Sequence, residues 1–285
     1  MDGIIKSPLN YIGNKHRILN QLQEYFPKEI NTMVDLFCGG CDVAINMEAN
    51  RIIANDINNY VVDIFKAFQN NTAEEILNYI DNTINQWGLS KTNKEAYLNF
   101  RNYYNSNKGN ALDLYILMCF SFNYQFRFNA NHDYNNPFGA NRSSFNQVMR
   151  KNLINMLDRL DNITFLSKDF IDIDLSNLKQ DDFVYADPPY LLTCGSYNDG
   201  KRGFKGWNQE DDLLLFDLLD KLDMMGVKFA LSNVIRHKGM VNDYLLNWQE
   251  KNKYKLHMID FNYNNCNYHT KNKENETIEV LITNY

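Results

Sequence analysis

Met33-Val34-Asp35-Leu36-Phe37-Cys38-Gly39-Gly40 reads as a short buried strand running into a glycine turn. A helix is expected to begin just beyond it, near Asp42, a good N-cap residue. Arg51-Ile52-Ile53-Ala54-Asn55-Asp56 forms a second strand signal, and residues 58–68 a second helix. Strand, helix, strand, helix at this spacing predicts an α/β fold built on a parallel, doubly wound sheet.

Beyond residue 69 the rhythm changes. Residues 70–160 hold helices and loops with no convincing parallel strand, so they form a helical insertion between an α/β portion at 1–69 and another at 161–285. Within the insertion, Thr72 with Glu75 and Thr92 with Glu95 look like capping boxes. Leu112-Asp113-Leu114-Tyr115-Ile116-Leu117-Met118 is a buried helix, and residues 129–144 are loop-like, rich in Asn with Pro137 and Gly139. Strands return at residues 162–166, at Asp182-Phe183-Val184-Tyr185-Ala186 and at residues 227–232. A helix is expected over residues 209–225, capped by Asn208 and stopped by Gly226. Residues 256–261 and 277–283 pair as a closing antiparallel hairpin. The heavy use of Asn reads as base-composition bias rather than chemistry.

Composition narrows the class. Hydrophobic residues make up 44% and charged residues 22%, enough for a buried core, and no apolar run reaches the ~18–20 residues of a membrane span. The start, Met1-Asp2-Gly3-Ile4-Ile5-Lys6, lacks a secretory pattern, and 5 Cys without framework spacing point to a reducing, cytoplasmic setting. A net charge of -6 argues against holding nucleic acid by bulk charge alone, while leaving room for a local basic face.

In open α/β sheets ligands bind beyond the carboxyl ends of the strands. Gly39 and Gly40 there allow a close backbone approach, and Asp56, ending the second strand, can accept both hydroxyls of a ribose. A plain strand-to-helix turn with a capping Asp is the alternative. Cys38 and Cys41 have redox spacing, but two cysteines in a packed turn are the preferred reading over a redox pair; no nearby His and no second Cys pair completes a metal set, so no metal is expected. Asp187-Pro188-Pro189-Tyr190 is the most informative stretch. Two prolines fix φ and remove two donors, leaving their carbonyls as rigid acceptors. With the Asp carboxylate and a flat Tyr ring they suit a planar group bearing NH2.

Asp-Pro-Pro-Tyr resembles the signature of S-adenosylmethionine-dependent amino-group methyltransferases, and the order of the other pieces resembles the Dam-like (D12 class) DNA adenine-N6 methyltransferases. Leu9-Asn10-Tyr11-Ile12-Gly13-Asn14-Lys15 resembles that family's opening motif, which implies cofactor contacts by Tyr11 and Lys15. Asp35, Phe37, Gly39 and Gly40 match its glycine-rich motif, though Cys41-Asp42 follow where small residues are usual. Asn55-Asp56-Ile57-Asn58 matches the ribose turn, giving Asp56 and Ile57, and Lys168-Asp169-Phe170 the adenine contact, giving Asp169 and Phe170. Leu231-Ser232-Asn233 and Ile282-Thr283-Asn284-Tyr285 also resemble the family. The resemblance covers essentially the whole chain and implies a Rossmann-like class I methyltransferase sheet, mostly parallel with an antiparallel closing strand. On it, residues 1–69 and 161–285 are the catalytic domain and 70–160 a target-recognition insertion.

The resemblance further implies double-stranded DNA as partner, with Asn123, Gln125, Arg127, Asn129 and Pro137 in the hairpin that reads bases beside the target, and Arg127 on a guanine. Gln125 stands where GATC-specific members carry an apolar residue, so the resemblance does not fix the recognised sequence. Arg142, Arg150, Lys151, Arg159, Lys201, Arg202, Lys205 and Arg236-His237-Lys238 are expected to contact phosphates. The implied reaction is methyl transfer to a flipped adenine, with Asp187, Pro188, Pro189 and Tyr190 catalytic and Asp187 also facing the cofactor. A monomer is expected, acting alone or beside a restriction endonuclease for the same site. An RNA or protein amino-group methyltransferase, an inactive DNA-binding subunit and a dinucleotide-dependent oxidoreductase are the rival readings.

Overall fold

The computed structural model describes residues 3–193, 206–259 and 277–285. Its strands are β1 (Thr32–Asp35), β2 (Arg51–Asn55), β3 (Ile163–Leu166), β4 (Phe183–Ala186), β5 (Lys228–His237), β6 (Met240–Val241), β7 (Lys255–Ile259) and β8 (Thr277–Thr283). They form one sheet in the order β3-β2-β1-β4-β5-β8-β7, with β6 paired to β5. The strands from β3 through β5 run parallel, and β8 then inserts antiparallel between β5 and β7. Chain order reverses between β1 and β4, which are direct neighbours, with Asp35 beside Tyr185. That reversal is the switch point of a doubly wound sheet, as the sequence pattern predicts.

Because successive strand residues face opposite sides, the sheet divides its apolar residues between two cores. Met33, Ile52, Ala54, Phe183, Tyr185 and Leu281 face one core, and Val34, Val184, Phe229, Leu231, Val280 and Ile282 the other. Helices α7 (Gln209–Met224) and α8 (Asp243–Asn252) cover the second side with Leu215, Phe216, Leu219, Leu245 and Trp248. The first side carries α1 (Leu19–Tyr25) and α2 (Asn59–Gln69). Its core continues without a break into α3 (Ala73–Trp87), α4 (Lys94–Asn107), α5 (Ala111–Phe120) and α6 (Gln147–Leu157). Helix α5 has polar residues on no side except Asp113, and all but its first residue are buried, so it runs as the central rod of this layer. It meets α2 through the edge-to-face pair Phe68–Tyr115 at 5.1 Å.

Several local expectations need correction. No α-helix follows the glycine turn: Cys41 adopts a left-handed φ of 67°, and the short link to β2 holds only one 3-10 turn, Ala44–Asn46. Asp42 accepts the Ser7 N–H there instead of capping a helix. The Thr72–Glu75 capping box is present, but α4 is capped one residue later than expected, by Asn93. Helix α8 and strand β6 had not been anticipated, and the expected strand at 256–261 is described only as far as Ile259. Asn is not idle composition either. Asn58, Asn93, Asn110, Asn146, Asn208 and Asn242 each cap a helix by accepting backbone N–H groups, which suits a short side chain that reaches its own backbone.

A shared core predicts shared unfolding. Phe100 is fully buried in α4 and packs on Trp87, so Phe100→Ala is expected to cost about 3–5 kcal/mol. Circular dichroism and tryptophan fluorescence should report that loss in a single coincident transition; two separated transitions would mean that the inserted helices melt alone.

Candidate active site

The carboxyl ends of β1 and β4 open into a cleft of about 780 Å³. At the end of β1 the chain turns through Gly39, whose φ of 47° is left-handed and whose Cα lies under the Tyr11 ring. A Cβ on Gly39 would stand 2.8 Å from Tyr11 Cδ1 and one on Gly40 would stand 3.0 Å from Tyr11 Cβ, so the glycines let the N-terminal loop close over the turn. Asp56 fixes the turn from β2, accepting Gly39 N–H at 2.9 Å and Asn58 N–H at 2.8 Å. Asn55, one residue earlier, donates to Leu36 and Lys168 carbonyls and accepts Lys168 N–H, stapling the exits of three strands.

Asp35 ends β1 nearly inaccessible to solvent, and its Oδ1 has no hydrogen-bond partner. Burial, with Asp187 nearby, pushes its carboxyl well above the ordinary range. Asp187 leaves β4 and meets the Lys15 ammonium at 2.7 Å through Oδ2. Lys15 also donates to Gly13 O at 2.9 Å, and its Nζ lies 3.7 Å from Glu279 on β8. Burial alone would lower the Lys15 pKa, but the two carboxylates outweigh it and the ammonium titrates above its usual value. Burial pushes Asp187 upward against the pull of Lys15. The Tyr190 hydroxyl lies 2.9 Å from Asp187 Oδ1 and 2.9 Å from Glu279 Oε1, and Lys15 Nζ sits 5.1 Å from the centre of its ring.

The remaining wall is aromatic. Phe37, Phe170 and Trp207 form a triangle with ring centres 5.4–5.5 Å apart. Ile57 is half exposed on the same cleft, and Asp169 caps the turn that carries Phe170. From the insertion, Phe126 and Phe128 reach the cleft as well. All expected cofactor residues (Tyr11, Lys15, Asp35, Phe37, Gly39, Gly40, Asp56, Ile57, Asp169, Phe170) and Asp187 to Tyr190 therefore share one cavity.

The expected base-reading hairpin is a loop closed by two isolated bridges, Ser121–Phe138 and Phe128–Tyr134. Arg127 and Arg142 are exposed on it, and Asp133 pairs with Lys108, not with Arg127. Asn123 has φ 55° and its carbonyl accepts from the Asn10 amide at 2.8 Å. The Gln125 carbonyl takes bonds from Tyr134 and Asn136, while Pro137 O accepts Phe122 N–H. Asn129 engages both ends of its amide with residues 131 and 133, so its side chain builds the turn. Arg150 is not open to phosphate: it bonds Asp81 on α3. Lys201, Arg202 and Lys205 lie outside the described residues. Glu279, Trp207, Phe126 and Phe128 were not foreseen; the single acid within the apolar run Thr277–Thr283 was the readable signal for the first. Cys38 and Cys41 are buried free thiols with pKa values pushed up, the opposite of a reactive pair, and no metal-binding cluster occurs among the described residues.

A doubly wound sheet whose switch-point cleft pairs a glycine turn with Asp-Pro-Pro-Tyr defines a Rossmann-like methyltransferase. The chain belongs to the D12 class N6 adenine-specific DNA methyltransferases, whose family model matches residues 11–264. It is 50% identical over 283 residues to the type II methyltransferase M.FokI of Planomicrobium okeanokoites and 49% identical to the modification methylase StsI of Streptococcus sanguinis, in each case over 99% of this chain. The chain spans 43% of the length of either relative. A DNA adenine methylase of Haemophilus influenzae is 26% identical over 187 residues, covering 64% of this chain and 63% of that protein.

Gly39→Ala tests the turn. An alanine there must adopt a left-handed φ, costing roughly 1–2 kcal/mol, and must displace Tyr11. Denaturant unfolding should show at least that loss, whereas Gly3→Ala, with open space around it, should unfold like the parent.

Proposed function

We propose that this chain transfers a methyl group from S-adenosylmethionine to N6 of adenine in duplex DNA. The observation that carries the reading is the convergence, in one cleft at the β1/β4 switch point, of the glycine turn, the Asp187–Tyr190 acceptor set and aromatic residues of the insertion. The residues fit the methyl donor. Asp35 Oδ1 is an acceptor awaiting a donor, Gly39 and Gly40 leave backbone room, and Asp35, Asp56 and Asp187 favour a ligand carrying ammonium and sulfonium charge. Tyr11, Asp35, Phe37, Gly39, Gly40, Asp56, Ile57, Asp169 and Phe170 hold that donor. When bound, it supplies the methyl as an electrophile attached to sulfonium.

The protein's own task is to make a poor nucleophile competent. The N6 lone pair of adenine is delocalised into the ring, and the base is inaccessible within the stack, so it must be flipped out. Asp187 and the Pro188 carbonyl accept the two N6 hydrogens and draw the nitrogen toward a tetrahedral shape. Pro189 keeps the strand exit rigid, and the Tyr190 ring lies against the base. Lys15 acts on this acceptor set through Asp187, holding the carboxylate ionised and aimed. Positioning and fixed charge are the sources of the rate.

Residues 70–160 serve as the target-recognition insertion on the catalytic domain at 1–69 and 161–285. Arg127 reads a base, and Arg142, with Asn123, Gln125 and Pro137, fixes the register of the loop on DNA. The reading places the protein in the cytoplasm as a monomer, modifying the site of a cognate restriction endonuclease. No helix among the described residues is long and apolar enough to cross a membrane.

Base-resolution methylation mapping of plasmid from a host lacking adenine methylation is the direct test. The wild-type chain should mark adenine N6 within one short motif and Asp187→Ala should mark none; blank DNA from both, with S-adenosylmethionine bound, would overturn the reading. Arg127→Ala should still methylate but lose about 1–3 kcal/mol of discrimination at one base pair of that motif, seen as new degenerate sites.

A further inference from the structure

We propose that Glu279 is a positioning residue that receives, through the Tyr190 hydroxyl, the proton lost from adenine N6. The inference rests on the methyltransferase reading above and extends it to a residue that neither the Asp-Pro-Pro-Tyr motif nor the cofactor motifs contain. Glu279 lies on β8, flanked along the chain by Ile278 and Val280, which turn into the opposite core. A carboxylate in such a strand is costly unless it has partners. Its short contact is with Tyr190 at 2.9 Å, while Lys15 is 3.7 Å away and is closely bound to Asp187 instead. Glu279 is therefore more than a counter-ion for Lys15.

The geometry contains an imbalance. One phenol hydroxyl lies 2.9 Å from carboxylate oxygens on both sides, Asp187 Oδ1 and Glu279 Oε1. A hydroxyl carries one hydrogen and can donate to only one of them. The second contact is favourable only when a proton sits on a carboxyl and is donated to the phenol oxygen. The Asp187–Tyr190–Glu279 line thus has a place for one additional proton.

The reaction delivers one. As the N6–C bond forms, the donor's C–S bond breaks with its electron pair staying on sulfur, and N6 is left with a surplus proton. That proton passes to Asp187. The Asp187 carboxyl hands it to the Tyr190 oxygen while the phenol hydrogen moves to Glu279 Oε1, each O–H bond forming as the next breaks. Tyr190 ends neutral, Asp187 is again a carboxylate, and Glu279, with 18% of its side chain exposed, releases the proton to water. Among the described residues, the groups facing Glu279 are Lys15 from the N-terminal loop, Asp187 and Tyr190 after β4, and Tyr185 within β4. His237 on β5 lines the same cleft with its ring bonded to Thr277.

The test is single-turnover methylation of plasmid DNA by the full chain, from pH 5 to 9, for Glu279→Gln, Glu279→Asp, Tyr190→Phe and the Glu279→Gln/Tyr190→Phe double variant. Each of Glu279→Gln and Tyr190→Phe should lower the plateau rate on the order of 10–100-fold, with the double variant no slower than the worse single one. Glu279→Asp should recover part of the loss. Glu279→Gln removes a like charge beside Asp187, so the acid limb of its profile should also shift to lower pH. Affinity for S-adenosylmethionine, read by tryptophan fluorescence, should stay within about threefold. A Glu279→Gln protein with the parent rate and profile, or additive losses in the double variant, would overturn the relay alone. If Glu279→Gln does not fold, Tyr190→Phe decides, since a parent rate without the hydroxyl excludes the relay. A wild-type chain that methylates no DNA overturns the parent reading and the relay with it.

Discussion

The buried ammonium of Lys15 is the interaction on which the site depends. A charge taken out of water is tolerated only when it is closely paired, and Lys15 finds Asp187, Gly13 O and Glu279 around it. Those partners come from the N-terminal loop, the exit of β4 and the antiparallel strand β8, which lie far apart in sequence. One cation therefore ties together the loop that covers the glycine turn, the acceptor set and the closing strand. Around it the strand ends accumulate carboxylates: Asp35, Asp56 and Asp187 all titrate high because burial disfavours their charge. The fold carries an electrostatic cost at the switch point that a positively charged ligand relieves, which is how a cleft can be selective before any shape is considered.

The second organising constraint is the single core shared by the sheet and the inserted helices. Because α5 packs directly on α2, the loop between Ser121 and Phe138 hangs from elements that are themselves anchored to the sheet. Buried hydrogen bonds finish the connection. Tyr97 donates to Asn136 O at 2.7 Å, Asn105 bonds both backbone groups of Tyr134, and the Asn136 amide reaches Ser121, Phe122 and Gln125. These contacts hold Asn123 and Tyr124 in left-handed conformations that neither residue favours alone.

The parallel sheet was legible because its strands are short apolar runs ending in Gly, Asp or Pro, and Asp187-Pro188-Pro189-Tyr190 was legible because prolines constrain backbone without help from distant residues. The residues expected to face the cofactor lie in motifs of a few residues each, and all of them line the one cleft. What escaped was whatever depends on pairing between distant segments. Glu279 enters the site only because β8 inserts beside β5 in a particular register, with Glu279 opposite Val234, and no local pattern encodes that register. Arg150 looked like a phosphate contact until α3 and α6 packed and placed Asp81 beside it. The capping Asn residues other than Asn208 looked like compositional noise because a cap is recognised only once the helix boundary is known.

These two constraints together bear on how the proposed reading of a polyanion is compatible with an acidic chain. The net charge of -6 is an average over surfaces that play different parts. Part of the negative charge is inside the cleft, at Asp35, Asp56 and Asp187, and part of the positive charge is taken up in ion pairs near the surface, Lys108 with Asp133 and Arg150 with Asp81. Arg127 remains exposed on the loop between Ser121 and Phe138, and Arg142 just beyond it. The carbonyl of Gln125 is held by Tyr134 and Asn136 and that of Arg127 by Asn135 N–H, so the loop presents these side chains from a backbone already fixed. A loop ordered in advance loses little freedom on binding, so under the proposed function discrimination between bases would rest on side-chain contacts at a few positions more than on bulk attraction.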